Sequence, residues 1–281
     1  MSIEDFFPYY EATPFFSLQS DKRLSYCLYV PAAYHRADVA EVSLIVALHG
    51  TRRTAEGYRD AFARFAERTN SVVLAPLFPI GVTGSYAEAP EEAHNYKYLD
   101  YQDIRFDLAL LNMVSEVRKV LDKVAERFLL FGFSGGGQFA HRFYYLHPSA
   151  LRGVSIGAPG TVTRLMPEVE WWPGIGGVAN RFGTAIDVEA LRQVPVQLVV
   201  GSRDTETWNV RVKEGSWTWR PGANDAGENR VQRLKALRDN LEAHDIEVEH
   251  AVVDGVGHSG LDVLEPVFTF FEKCLGERGA S

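Results

Sequence analysis

Apolar positions along this 281-residue chain fall into two rhythms. Residues 42–48 and 72–77 are short apolar runs, 127–133, 151–156 and 196–200 read the same way, and 247–253 is taken as another such strand despite Glu247, Glu249 and His250. Such runs mark strands covered on both faces of a sheet. Between them the apolar residues recur at helical spacing. Residues 58–68 set Phe62, Phe65 and Ala66 on one face, and 104–124, 138–146, 230–244 and 263–275 are further predicted helices. Ahead of all these, 12–18 and 23–30 are rich in aromatic and β-forming residues. Ser20-Asp21-Lys22 separates them as a turn, so the pair predicts an antiparallel hairpin. A hairpin followed by alternating strands and helices defines an α/β class. The expected architecture is a mostly parallel central sheet with helices on both faces and right-handed crossovers.

Three stretches break the alternation. Residues 86–101 are polar, aromatic and irregular, too long for a plain connector, and read as a functional loop. Residues 161–191 and 205–229 follow strands, on the sheet edge where open α/β folds bind ligands. These two insertions hold all five tryptophans: Trp171, Trp172, Trp208, Trp217 and Trp219. They read as elaborations of one domain spanning residues 1–281.

Composition narrows the possible partners. Hydrophobic residues make up 46% of the chain, enough for a sizeable core. Net charge is −8 with no lysine- or arginine-rich block, which argues against nucleic acid as a partner. Cys27 and Cys274 lie near opposite ends, forming neither a metal spacing nor a disulfide framework, and Cys27 reads as a small core residue. Residues 1–7 have no basic region and no apolar h-region, so a signal peptide is not expected. No apolar run reaches membrane-spanning length. The expectation is a cytoplasmic protein with no membrane partner.

The segment with the strongest chemical content is Phe131-Gly132-Phe133-Ser134-Gly135-Gly136-Gly137. It joins a predicted strand to a predicted helix. Gly-x-Ser-x-Gly in that setting puts the serine on a sharp, exposed turn. Gly132 and Gly136 answer a need for turns too tight for a Cβ. The following helix aims its free N–H groups, and the positive end of its dipole, at charge developing beside Ser134. A serine so placed serves acyl transfer, but its hydroxyl needs a base, and the base needs an acid to fix its tautomer. His258 lies in Asp254-Gly255-Val256-Gly257-His258-Ser259-Gly260 after the last strand, with glycines on both sides. Asp204 follows the strand ending Val199-Val200-Gly201. The order serine, acid, histidine favours Asp204 over Asp254, which sits four residues before His258 and suits a bracing role in that loop.

Ser134, Asp204 and His258 in that order resemble the α/β-hydrolase superfamily over about residues 24–271. Residues Tyr26-Cys27-Leu28-Tyr29-Val30-Pro31, Val46-Ala47-Leu48-His49-Gly50-Thr51 and the serine motif are similar to polyhydroxybutyrate-depolymerase-like and feruloyl-esterase-like carboxylesterases. The resemblance implies a serine mechanism through an acyl-enzyme, with no cofactor. It gives Ser134, Asp204 and His258 the triad roles, and the backbone N–H groups of Thr51 and Gly135 the oxyanion roles. Losing one such donor costs on the order of 3 kcal/mol in the barrier.

The expected reaction is hydrolysis of a small or medium soluble carboxylic ester. Arg52, beside the oxyanion loop, is a candidate for a substrate carboxylate, with Arg53 as its rival. Trp172 and Trp208 are candidate aromatic walls, and Tyr96, Tyr98 and Tyr101 candidate cleft edges; packing roles compete at each. A peptidase, amidase or acyltransferase with the same triad is a second reading, and a non-catalytic ligand receptor on this fold a third. No HExxH or paired-histidine spacing predicts a metal, no dinucleotide fingerprint predicts a nicotinamide or flavin, and no Gly-Lys-Ser/Thr makes the glycine run a phosphate loop.

Overall fold

A computed structural model describes residues 9–36 and 38–276. The expectation about residues 1–7 lies outside the described residues. The N-terminal strands are β1 (Glu11–Ala12), β2 (Phe16–Ser17) and β3 (Ser25–Val30); the first two each pair antiparallel with β3. The hairpin is therefore present, with its first arm split. Pro14 has no N–H for a ladder, and Leu28 N–H donates to the side-chain oxygen of Thr13 at 2.9 Å instead.

Strands β4 (Val42–Leu48) and β5 (Ser71–Leu77) flank helix α1 (Ala55–Thr69) in the chain. A small antiparallel pair follows, β6 (Asp100–Tyr101) with β7 (Ile104–Arg105), then α2 (Phe106–Val120), β8 (Val124–Phe133) and α3 (Gly135–Leu146). After β9 (Leu151–Gly157) come the short helices α4 (Val178–Phe182) and α5 (Val188–Arg192), then β10 (Val196–Gly201), α6 (Arg230–Glu242), β11 (Val248–Val253) and α7 (Leu264–Gly276). The main sheet runs β1-β3-β5-β4-β8-β9-β10-β11. From β5 onward the strands are all parallel, and β3 joins β5 antiparallel. This mixed, mostly parallel sheet with its helices is the α/β-hydrolase fold.

Phe128 and Phe131 show how both faces of the sheet are covered. They are three residues apart on β8, so they point to opposite sides. Phe131 packs on Phe62 of α1, which also meets Phe268 and Phe271 of α7. Phe128 packs on Phe143 of α3, and beyond it Phe78 holds Phe106 of α2 and Phe139 of α3.

Several boundaries differ from expectation, and helix α1 already starts three residues before its predicted first residue, 58. The helix predicted from 104 starts at Phe106, because Ile104 and Arg105 pair with Tyr101 and Asp100; it ends at Val120, and Val124 opens β8. Helix α3 begins at Gly135, three residues before the predicted start, because three glycines weaken the periodic signal that marks a helix. The stretch 86–101 is not an irregular loop throughout. Pro90–Tyr98 forms a 3₁₀ helix with Glu92, Asn95, Tyr96, Lys97 and Tyr98 buried. It is held from within: Glu92 accepts the N–H groups of Gly81 and Thr83 at 2.9 and 3.0 Å and pairs with the Thr83 hydroxyl.

Candidate active site

The C-terminal ends of β4, β8, β10 and β11 meet at one edge of the sheet. At the end of β8, Ser134 has φ 58° and ψ −113°, a conformation L residues avoid. Its backbone is pinned on both sides: Ser134 N–H donates to Gly157 O at 2.8 Å, and Gln138 N–H to Ser134 O at 3.0 Å. The turn is as tight as the motif predicts. A Cβ on Gly132 would lie 2.2 Å from Gly136 O, and one on Gly136 would lie 2.8 Å from Leu48 O.

Asp204 and His258 arrive on two loops stitched together. Ser202 N–H donates to Val253 O at 2.9 Å, and Arg203 N–H to Val256 O at 2.8 Å. The Ser202 hydroxyl donates to Asp254 Oδ1 at 3.2 Å and accepts from Gly255 N–H at 2.9 Å. Asp254 thus braces the histidine loop. The result is a continuous chain of side chains, with His258 Nε2 at 2.9 Å from Ser134 Oγ and His258 Nδ1 at 2.6 Å from Asp204 Oδ2. Asp204 is buried, and Arg230, also buried, donates to its other oxygen, Oδ1, at 3.2 Å. Phe133 packs on the His258 ring with centroids 4.9 Å apart.

The loop after β4 comes up beside Ser134. A Cβ on Gly135 would lie 3.2 Å from Thr51 N, so the loop backbone runs close against the start of α3. Gly135 is the first residue of α3, and its N–H has no intrahelical acceptor. His49 anchors the loop from below: Phe78 N–H donates to its Nε2 at 3.0 Å, and its own Nδ1–H donates to Gly50 O at 2.8 Å. Burial pulls His49 down to about 3, so it stays neutral in this role. Arg53 adopts φ 57° and donates to Phe78 O, Thr51 O and Ala93 O at 2.7 to 3.1 Å. It is a strut for the loop, so of these two arginines it is Arg52 that lines the cleft.

Above Ser134 opens a cleft of about 1190 Å³. Its walls come from the loop after β4, the Pro90–Tyr98 helix, the 205–229 insertion and the His258 loop. Trp208 stands on its rim, 79% exposed, and Trp217 lines it while packing edge-on against Tyr98 and Tyr101. Trp172 does not line the cleft. It is 4% exposed behind Tyr98, its indole N–H donating to Thr218 O at 2.6 Å, so it anchors the 205–229 insertion. Tyr98 forms part of the cleft wall, whereas Tyr96 is buried with its hydroxyl donating to His49 O at 3.0 Å.

Lys97, His94, Gln138 and Arg230 also line the cleft and were not expected there. Lys97 and His94 fall in the stretch read as irregular. Arg230 opens a helix whose sequence carries no sign that its first residue reaches Asp204.

No protein-family model and no curated protein sequence matches the chain. Solved structures do share its fold. Poly(aspartic acid) hydrolase-1 from Sphingomonas sp. KT-1 superposes with a TM-score of 0.71 at 20% identity, over 92% of this chain and 98% of that one. A poly(3-hydroxybutyrate) depolymerase from Bordetella parapertussis gives 0.70 at 21%, over 89% and 84%. The siderophore hydrolase EstA from Aspergillus nidulans gives 0.58 at 18%, over 96% of both chains. Among the described residues no helix is long and apolar enough to cross a membrane.

Proposed function

We propose that this protein is a serine hydrolase that cleaves carboxylic esters through an acyl-enzyme. The observation that carries the reading is His258, bridging Ser134 Oγ at 2.9 Å and Asp204 Oδ2 at 2.6 Å. Nucleophile, base and orienting acid stand in hydrogen-bond order, with the serine on a strained turn.

The reaction follows from that order. His258 Nδ1–H donates to Asp204, which leaves Nε2 unprotonated to take the Ser134 proton. As Oγ bonds to the ester carbon, the carbonyl oxygen becomes an oxyanion, met by the N–H groups of Thr51 and Gly135. Collapse of the tetrahedral adduct breaks the bond to the leaving oxygen, and His258 returns its proton to the departing alcohol. Water then attacks the acyl-enzyme, giving its proton to His258. Release of the acid restores Ser134 Oγ–H.

Support also comes from the likeness to proteins named as an esterase, a ferulic acid esterase and a poly(3-hydroxybutyrate) depolymerase. The same triad serves amide cleavage, and poly(aspartic acid) hydrolase-1 shares the fold. A chain-length series of p-nitrophenyl esters, run with wild type and Ser134→Ala, tests the reading. Turnover by wild type that disappears in the variant is expected; equal turnover by both contradicts it.

A further inference from the structure

The whole chain carries a net charge of −8, yet the cleft does not share that sign. Arg52, Lys97, Arg211, Lys213 and Arg230 line it, against Glu91 and Glu206. Clefts lined by one sign of charge between low-dielectric walls concentrate ligands of the opposite sign.

Lys97 is the most informative of the five. It is 3% exposed, and its ammonium has one hydrogen-bond partner among the described residues, Nδ1 of His94 at 2.7 Å. That partner is not an anion. Desolvation, with the charges of Lys97 and Arg53, holds His94 at about 4, so its ring is neutral and Nδ1 accepts. One of three ammonium protons is thereby used.

The surroundings deepen the imbalance. Arg142, fully buried, donates to Lys97 O, Gln138 O, Thr161 and Thr163 and stacks on Tyr98, 4.7 Å from the ring centre; no carboxylate meets it among the described residues. Arg230 is committed to Asp204. Burial and the charges of Arg53, Arg230 and Arg142 pull Lys97 down to about 7. A buried cation without a counter-ion is costly, and an apolar side chain would pack there at less cost. An anion entering from the cleft supplies the missing charge.

The position is specific. A Cβ on Gly135 would lie 3.0 Å from Lys97 Cε, so the end of Lys97 comes up against the residue after Ser134, and both Lys97 and Ser134 line the cleft. We propose that the substrates are esters bearing a free carboxylate, and that Lys97 is the residue that binds this carboxylate. The proposal rests on the ester-hydrolase reading for the reaction, but not for the anion site itself.

The test compares kcat/KM for two esters of similar shape, mono-p-nitrophenyl glutarate and p-nitrophenyl 5-methylhexanoate. A second pair, 4-carboxyphenyl and phenyl butyrate, places the carboxylate on the alcohol side instead. The wild type is expected to prefer the anionic member of one pair by roughly tenfold or more, the size of one charge-assisted bond. In Lys97→Met that ratio falls by roughly the same factor, whatever happens to the absolute rates. No preference in either pair, or a loss of equal size on both members of the preferred pair, overturns the proposal.

Calorimetric titration of glutarate into Ser134→Ala protein separates the two readings. Binding that weakens roughly tenfold when Lys97→Met is added supports the site even if no ester is turned over. Absence of binding at millimolar glutarate, together with unselective ester turnover, overturns the anion site and leaves the hydrolase reading standing.

Discussion

Arg230 Nη1 meets Asp204 Oδ1 at 3.2 Å, on the oxygen that His258 leaves free. Both residues are buried, so each depends on the other for charge balance. Removing one member of such a pair costs about 3–5 kcal/mol, because the remaining charge is stranded. Arg230→Met is expected to lower the unfolding free energy from urea melts by an amount in that range and to reduce kcat, since Asp204 is freed to shift away from His258. Arg230→Lys recovers part of both. Unchanged stability and unchanged kcat in Arg230→Met contradict this view of the pair.

Asp204 and Asp254 separate cleanly by the same reasoning. Asp204→Asn puts an amide against His258 Nδ1 and disturbs its tautomer, and the expected fall in kcat is on the order of 10⁴-fold. Asp254 is exposed and accepts from Ser202 at 3.2 Å. Asp254→Asn is expected to change stability by about 0.5 kcal/mol or less and to leave kcat nearly intact. Steady-state kinetics on the two variants with one ester checks the contrast.

The serine turn predicts a third result. Gly132→Ala places a Cβ 2.2 Å from Gly136 O, and backbone on both sides leaves nothing to yield. A loss of about 3 kcal/mol or more is expected, with little soluble active protein. Gly84→Ala is the control, since a Cβ there has nothing within 4 Å. Thermal melts of the two variants should differ widely.

Buried cations and histidines set the pH dependence of stability. His49 and His141 are held low, by burial first and then by the charges of Arg53 and Arg142. They fold neutral, whereas the unfolded chain takes up protons below about 6.5. Stability should therefore fall as pH drops from 6.5, because the unfolded state then binds more protons. Lys97 adds a slope at higher pH. It sits at about 7 when folded and near 10.4 when unfolded, so stability should rise between pH 7 and 9.5. Lys97→Met should flatten that upper slope in urea melts while leaving the lower one in place.

The sequence made much of this site legible, and for definite reasons. The buried strands are apolar enough to be read singly, and Gly132 to Gly137 stand between a strand and a helix, the setting their motif requires. The Asp204 and His258 loops follow such strands directly. The 3₁₀ helix of 90–98 was hidden because its order comes from Glu92 gripping Gly81, Val82 and Thr83, contacts that leave no periodic trace. Lys97 and Arg230 were hidden for a related reason. A lone cation reads as surface until the fold closes over it. The tryptophans split as packing required, Trp171 and Trp172 going inside and Trp208 to the rim.

The most direct test of the central claim is intact-mass and peptide mapping after treatment with an alkyl fluorophosphonate. A single adduct on the peptide carrying Ser134 is predicted, formed slowly in His258→Ala and absent in Ser134→Ala. An adduct elsewhere, or labelling and ester turnover that persist in Ser134→Ala, would contradict the account.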